Sequence, residues 1–527
     1  MKRFFNTAGI CRPERHYMVP PLPRLAEAPK LIDHGGYFVV HAPRQTGKTT
    51  TLYALAKHLV EQGQYAAVYF SCETAKIAVD KVGMAETIVL SAIEQGAQSG
   101  LPADLRPPPW PQAPEGQQLS IGLRAWARTC PKPVVLFFDE IDALRGDSLV
   151  SVLSQLRAGY SNRPNEFPAS VVLCGLRDVR DYKAASGGDP TRLGSSSPFN
   201  VKIESLKMMD FEPSQVEALY AQHTAETGQV FTKEALARAI ELSAGQPWLV
   251  NSIAREITEK MDLPLDQPIT VDHVDEAKER LILARATHLD SLVARLMEPR
   301  VKRVIEPIVG GTTETNLDDT YNDDVSYCRD LGLIAPKSPL RIANPIYKEV
   351  IVRVLSTSTE DVVDIEPHSF ILPDGRLDMP RLLDEFMSFW MEHGDVLTNR
   401  ISYNEAATQI IFMAFLQRVV NGGGFIDREY GIGRGRVDLL VRFPYKDSDG
   451  KRVIQREAIE LKVWRDKQSD PVDVGLKQID DYLNKLGLDT GILVIFDRRK
   501  KAKSVAKRLK LGKAETPSKK TITLLRA

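Results

Sequence analysis

The chain has little that would staple or anchor it. Five cysteines occur in 527 residues (Cys11, Cys72, Cys130, Cys174 and Cys328). None forms a CxxC pair, and none has a histidine at zinc-ligand spacing. That pattern excludes a disulfide framework and a zinc site, and it fits the reducing cytoplasm. No apolar run approaches the ~20 residues that span a bilayer, so no membrane partner is expected. The start Met1-Lys2-Arg3-Phe4-Phe5 is basic and apolar but lacks a following h-region, so it does not read as a signal peptide. Net charge is also missing: 69 Lys and Arg balance 69 Asp and Glu. The balance is uneven, since residues 373–527 hold 29 cations against 22 anions. A polyanion is expected to meet the chain there, although a solvated basic face gives the same count.

The length implies several cores rather than one. Residues 1–30 are irregular and proline-rich. Tyr37–His41, Ala66–Phe70, Val134–Phe138 and Ser170–Cys174 are short continuous apolar runs alternating with helical spacing, which predicts a parallel sheet covered on both faces. Pro107-Pro108-Pro109-Trp110-Pro111 reads as a stiff surface insertion. Periodicity is helical from Pro213 to Leu283, as in a lid. Asp330–Ala335 and Leu340–Ala343 read as a helix end and a small hairpin, which suits a winged helix. No internal repeat is visible. The expected division is an ATPase core over 1–205, a lid over 206–285, a winged helix over 286–357, a linker over 358–372 and a second α/β domain over 373–527.

Ala42-Pro43-Arg44-Gln45-Thr46-Gly47-Lys48-Thr49 follows a strand and opens a helix at Thr49-Thr50, the context a phosphate-binding loop requires. Backbone N–H groups and the helix dipole then face phosphates. Lys48 is expected to reach the β- and γ-phosphates of ATP, and the Thr49 hydroxyl to hold Mg²⁺. Ala42 stands where the pattern has its first glycine, which is tolerable at negative φ. The strand Val134–Phe138 ends in Asp139-Glu140. Asp139 suits the metal and Glu140 suits polarising the attacking water; an N-cap pair is the bland alternative. Arg177 is a candidate γ-phosphate sensor, and Arg157 and Arg163 are arginine-finger candidates on spacing alone. Residues 1 to about 355 resemble the AAA+/STAND-type ATPases with an APRQxGKT loop. The likeness rests on the loop, Asp139-Glu140, Ser197-Pro198-Phe199-Asn200, Gly245-Gln246-Pro247 and Asn344-Pro345-Ile346-Tyr347. It implies that Gly245-Gln246-Pro247 approaches the nucleotide from the lid and that a winged helix follows.

A second phosphate chemistry is written near the C-terminus. Asp438 ends Arg434-Gly435-Arg436-Val437, and Ala458-Ile459-Glu460-Leu461-Lys462 lies inside the next apolar run. Neighbouring strands bring side chains to ~5 Å, close enough for two carboxylates to share one cation. Period-2 alternation points Glu460 and Lys462 the same way and Leu461 into the core. An exposed Glu-x-Lys pair is the bland reading, but unpaired charge inside an apolar strand is costly. Gln478 and Tyr482 stand four apart on a predicted helix. This constellation resembles the PD-(D/E)xK nuclease superfamily over residues 373–527. The resemblance implies catalytic Asp438, Glu460, Lys462 and Gln478. It implies metal bound by Asp438, Glu460 and the Leu461 carbonyl, with Mg²⁺ favoured and Mn²⁺ an alternative. Glu405 matches the glutamate of the family's first core helix, but Ser402-Tyr403-Asn404-Glu405 is equally a capping box. Arg498 through Lys510 is a basic run that, on a helix, would contact backbone phosphates.

The expectation is an α/β multidomain chain: a P-loop parallel-sheet ATPase with lid and winged helix, then a restriction-endonuclease-like α/β domain. It would bind and hydrolyse ATP, cleave nucleic acid (DNA favoured) with Mg²⁺, assemble as a homo-oligomer, and serve in defence against foreign DNA. The alternative is an ATP-switched scaffold whose nuclease fold only grips nucleic acid.

Overall fold

The computed structural model describes residues 2–176, 202–284, 287–309, 322–360, 370–400, 407–420, 424–432, 435–448 and 450–527. Two compact units emerge, Met1–His288 with Ser326–Pro336, and Leu289–Val325 with Lys337–Ala527. Among the described residues no helix is long and apolar enough to cross a membrane.

In the first unit two short strands, β1 (Phe4–Phe5) and β2 (His16–Tyr17), pair in parallel. Helix α1 (Ala28–Asp33) leads into β3 (Tyr37–His41), α2 (Lys48–Glu61), β4 (Ala66–Ser71) and α3 (Val82–Gly100). Then come α4 (Gln118–Thr129), β5 (Val134–Asp139), α5 (Gly146–Gly159), β6 (Ser170–Gly175) and β7 (Lys202–Lys207). The five long strands form one sheet in the order β4-β5-β6-β3-β7, all parallel. The continuous apolar runs are explained by burial on both faces. Phe38 and Val40 pack with Leu52 and Leu55 of α2, while Tyr37 and Val39 pack with Ile93 and Leu153 on the other side. The proline-rich insertion is not merely surface, for Trp110 packs edge-on to Trp126 at 6.4 Å.

Helices α6 (Pro213–Thr227), α7 (Lys233–Ser243), α8 (Pro247–Arg255) and α9 (Val271–Leu283) make the expected helical segment. Gly245 has φ +79°, and a Cβ there would stand 2.0 Å from the Phe211 carbonyl oxygen, so only glycine fits the turn into α8. Residues 1–30 are irregular in sequence yet docked in structure. Phe5 and Tyr17 are buried, Phe5 lies 5.5 Å from the Tyr220 ring, and Gln222 bonds both Met18 N–H and Met18 C=O.

The second unit begins with α10 (Thr287–Leu296), most of which it contains, and continues through α11 (Pro299–Val309) and the start of α12 (Asp323–Asp330), whose remainder belongs to the first unit, to α13 (Pro345–Glu360). Between Leu331 and Ile342 no named strand forms among the described residues, so the expected hairpin is at most a bridge. Helices α14 (Met379–Arg400) and α15 (Ala407–Val420) precede β8 (Phe425–Ile432), β9 (Gly435–Lys446), β10 (Arg452–Trp464), α16 (Val472–Leu486) and β11 (Thr490–Asp497). A one-turn α17 (Val505–Arg508), β12 (Lys510–Glu515) and β13 (Thr521–Arg526) close the chain. The sheet is mixed, in the order β12-β13-β11-β10-β9-β8. Ile479 and Leu483 of α16 pack on Leu440, Leu493 and Ile495. Phe386, Trp390 and Phe412 gather around Phe496, with Trp390 at 5.2 Å. The basic run from Arg498 is therefore not a helix beyond the single turn of α17. Its start is pinned as an extended exit from β11, by Arg498 N–H to Trp464 C=O at 2.9 Å and Arg499 on Asp497 at 2.7 Å.

Candidate functional site

The phosphate-binding loop leaves the C-terminal end of β3, where open α/β sheets hold their ligands. Gln45 (φ +57°) and Gly47 (φ +86°) take left-handed backbone, and Ala42 does not, which is the condition for alanine at that position. Helix α2 then starts at Lys48. The Lys48 ammonium donates to Ala42 C=O at 2.8 Å and Pro43 C=O at 2.7 Å. Burial pushes its pKa down, and Cys174, Asp139 and the neighbouring acids oppose that shift. Thr46 is buried, and its hydroxyl donates to Pro43 C=O at 2.9 Å.

Strand β5 delivers Asp139 and Glu140 beside this loop. Asp139 is buried; its Oδ2 accepts from Thr49 Oγ1 at 2.7 Å and from Tyr69 OH at 2.9 Å. Thr49 and Asp139 are thus joined directly beside the loop. Glu140 sits at φ +53°, unusual for a non-glycine residue and of the kind that clusters at functional sites. Its carboxyl is raised by burial first, then by Glu73 and Asp139. It does not act as a side-chain cap, which removes the bland reading for that residue.

Gln246 Oε1 caps α8 through Leu249 N–H at 2.7 Å, and its Nε2 reaches Gln45 C=O at 3.5 Å. A cavity of about 140 Å³ lies against the loop, lined by Gly47 and Thr50, by Pro247, Trp248 and Asn251 of α8, and by Cys11 of the N-terminal segment. Sequence reading missed Tyr69, Trp248, Asn251 and Arg24, whose guanidinium bonds Thr46 C=O and Met209 C=O at 2.7 Å each. The Arg163 guanidinium lies 3.4 Å over the Tyr160 ring. Arg157 lies on α5. Arg177 and Ser197–Asn200 lie outside the described residues.

In the second unit β9 and β10 pair antiparallel up to Ile459 opposite Leu439, which sets Glu460 level with Asp438 at the next step. There the ladder breaks off. Leu461 N–H donates to Asp438 Oδ2 at 2.8 Å instead of continuing the backbone pairing. Glu460 is 2 % exposed; its Oε1 accepts from Lys462 Nζ at 2.5 Å. Its Oε2 is buried with no hydrogen-bond partner among the described residues. Gln478 on α16 has a buried Oε1 in the same condition. A bare buried carboxylate oxygen is costly unless a cation or donor meets it, so the donor set fits a hard divalent ion. Among the described residues no three His, Cys, Asp or Glu side chains gather. The candidate site is therefore two carboxylates and the Leu461 carbonyl. Glu405, in both its readings, lies outside the described residues.

The Glu460 carboxyl is pushed up to about 7, by burial first and then by Asp438, with Lys462 opposing. A folded pKa above the unfolded value of roughly 4.3 means the folded chain holds the proton more tightly. That stabilisation is full below the unfolded value and is lost as pH rises through about 7. The metal-free thermal midpoint is therefore expected to fall between pH 5 and 8, and the fall to flatten in Glu460→Gln. An equal slope in both proteins would contradict the assignment.

Residues 32–182 match the family model of an AAA domain. No curated protein matches the chain. Similar solved structures include a Walker-type ATPase of Pyrococcus abyssi, at 13 % identity over 66 % of this chain and 99 % of that one, with a TM-score of 0.46. The ORC2 protein of Aeropyrum pernix is 14 % identical over 63 % of this chain and 91 % of its own, with a TM-score of 0.35. The RuvB Holliday junction branch migration motor of Thermotoga maritima is 13 % identical over 63 % and 95 %, with a TM-score of 0.35. The domain match and the loop geometry together make residues 32–182 an ATP-binding, AAA-like P-loop ATPase domain.

Proposed function

We propose that this chain couples ATP binding and hydrolysis in its first unit to metal-dependent cleavage of phosphodiester bonds, DNA favoured, by its second. The observation that carries the cleavage reading is the buried, partnerless Glu460 Oε2 beside Asp438, with Lys462 on the same strand face. Asp438, Glu460 and the Leu461 carbonyl would hold Mg²⁺, with Mn²⁺ able to replace it. A bound divalent cation lowers the pKa of a coordinated water and neutralises charge on the phosphate. The chain's own groups supply the rest. Leu461 N–H fixes the Asp438 carboxylate, so its second oxygen keeps a set direction. Lys462 favours the anionic form of Glu460 against burial and Asp438, and is placed to donate from Nζ to a phosphate oxygen or to the attacking water. Gln478, with an open carbonyl oxygen, is a positioning group on the adjoining helix.

In the first unit Lys48 and Thr49 would take the phosphates and Mg²⁺, with Asp139 behind Thr49 and Glu140 acting on water. Control of cleavage by nucleotide state is the simplest use for both chemistries in one chain, and a homo-oligomer active in defence against foreign DNA is its expected setting.

Calorimetric titration with Mn²⁺ tests the cleavage site without relying on activity. In nucleotide-free protein, Lys48→Ala should retain the second unit's Mn²⁺ site, while Asp438→Asn and Glu460→Gln should each weaken it by more than the roughly 10- to 100-fold that loss of an outer-shell partner costs. Equal Mn²⁺ binding in wild type and Glu460→Gln would remove the metal from the proposal.

A further inference from the structure

We propose that Tyr69 is a positioning residue of the ATP site: it orients Asp139 and thereby sets how strongly Mg²⁺ tightens the binding of ATP. Strand β4 lies beside β5, in a register that sets Ser71 opposite Asp139 and Tyr69 opposite Phe137. Side chains two apart on a strand share a face, so Tyr69 and Asp139 both turn toward α2. Tyr69 starts one two-residue step, ~6.6 Å, short of the level of Asp139. A phenol spans that step, and a serine or threonine would not. The ring is seated edge-on against Tyr53 of α2, with centroids 6.0 Å apart, and packs on the apolar layer beneath that helix. The helix that carries Thr49 therefore also holds the Tyr69 ring in place.

The hydrogen bonds around Asp139 all run toward it. Oδ2 accepts from Thr49 Oγ1 at 2.7 Å and from Tyr69 OH at 2.9 Å, while Oδ1 accepts the Glu140 N–H at 2.9 Å. Thr49 gives its one proton to Asp139, which turns the lone pairs of its own oxygen outward for a cation. Magnesium takes oxygen ligands, so a hydroxyl backed by a carboxylate suits it. The arrangement holds only while Asp139 is ionised and Oδ2 faces Thr49. Tyr69 favours both conditions. A phenol is protonated at neutral pH, so toward a carboxylate it can only donate, and donors favour the charged form. Its bond to the oxygen that Thr49 also uses fixes the rotation of the carboxylate. Burial alone does not call for this phenol, because Thr49 and the Glu140 N–H already meet both oxygens of Asp139.

The inference rests on the reading of Thr49 and Asp139 as the metal side of the ATP site, and Asp139→Asn separates the two claims. Calorimetry on the full chain should measure ATP affinity in excess Mg²⁺ and again in EDTA; the ratio is the gain due to the metal. Tyr69→Phe is expected to bind ATP in EDTA as wild type does, and to lose roughly tenfold or more of that gain. A purely structural role would lower both affinities together or move only the thermal midpoint. In the Asp139→Asn background, Tyr69→Phe should change the gain no further, since the two residues act as one unit. Phenylalanine fills the same space at a half-buried position; should it fail to fold, Tyr69→Met makes the same comparison. An undiminished gain in the folded variant, with the gain lost in Asp139→Asn, overturns this assignment alone. No gain in wild type, or an undiminished gain in Asp139→Asn, overturns the metal reading of that carboxylate first, and this one with it.

Discussion

Glu460→Ala is expected to abolish metal-dependent cleavage, a loss on the order of 10³-fold or more, while ATP affinity stays unchanged. The size follows from the position. Glu460 is the buried member of the pair, and without it only Asp438 and a main-chain carbonyl remain to hold a cation. Lys462 would lose the carboxylate it now contacts at 2.5 Å. Lys462 is only partly buried, so its ammonium can turn to water and the sheet should survive. Circular dichroism and the thermal midpoint check that point. Cleavage persisting in purified, folded Glu460→Ala protein would sink the nuclease assignment and leave the scaffold alternative standing.

Lys48→Ala should have the second large effect, at the other end of the chain. The Lys48 ammonium is held inside the loop by two carbonyl oxygens, at 2.8 and 2.7 Å, and has no carboxylate partner among the described residues. Loss of a buried charge contact to phosphate costs roughly 2–5 kcal/mol, a fall in ATP affinity of about 30-fold or more. Ligand at about 100 times its Kd stabilises a protein by roughly 2.7 kcal/mol, so the thermal shift caused by ATP should disappear in the variant. The metal-free, nucleotide-free variant should melt near wild type. A variant that unfolds outright would instead make the nucleotide a structural element, and a preserved ATP shift would contradict the geometry of the loop.

Much of this was legible in the sequence, for physical reasons that also mark where legibility ended. The strands from Tyr37, Ala66, Val134 and Ser170 are buried on both faces, so each is a continuous apolar run that needs no partner to be recognised. Asp438 and Glu460 were placed side by side by the turn at Lys446–Lys451 and by strand period, and the register agrees. Long-range contacts left no comparable trace. Phe5 and Tyr17 look isolated in a proline-rich segment because their partners, Tyr220 and His223, lie some two hundred residues on. Tyr69 reads as one more apolar residue of its strand, although its hydroxyl serves Asp139. The lysine-rich run after β11 misled in the other direction. Its composition favours a helix, but its first residues are committed to Trp464 and Asp497.

Incubation of the purified wild-type chain with plasmid and single-stranded oligonucleotides, in Mg²⁺ or in EDTA and with or without ATP, tests the central claim most directly. The expected result is cleavage that requires Mg²⁺, changes with ATP, and is absent from Glu460→Ala and Lys462→Ala. Intact substrates under every combination of metal and nucleotide, from protein that binds ATP normally, would contradict it.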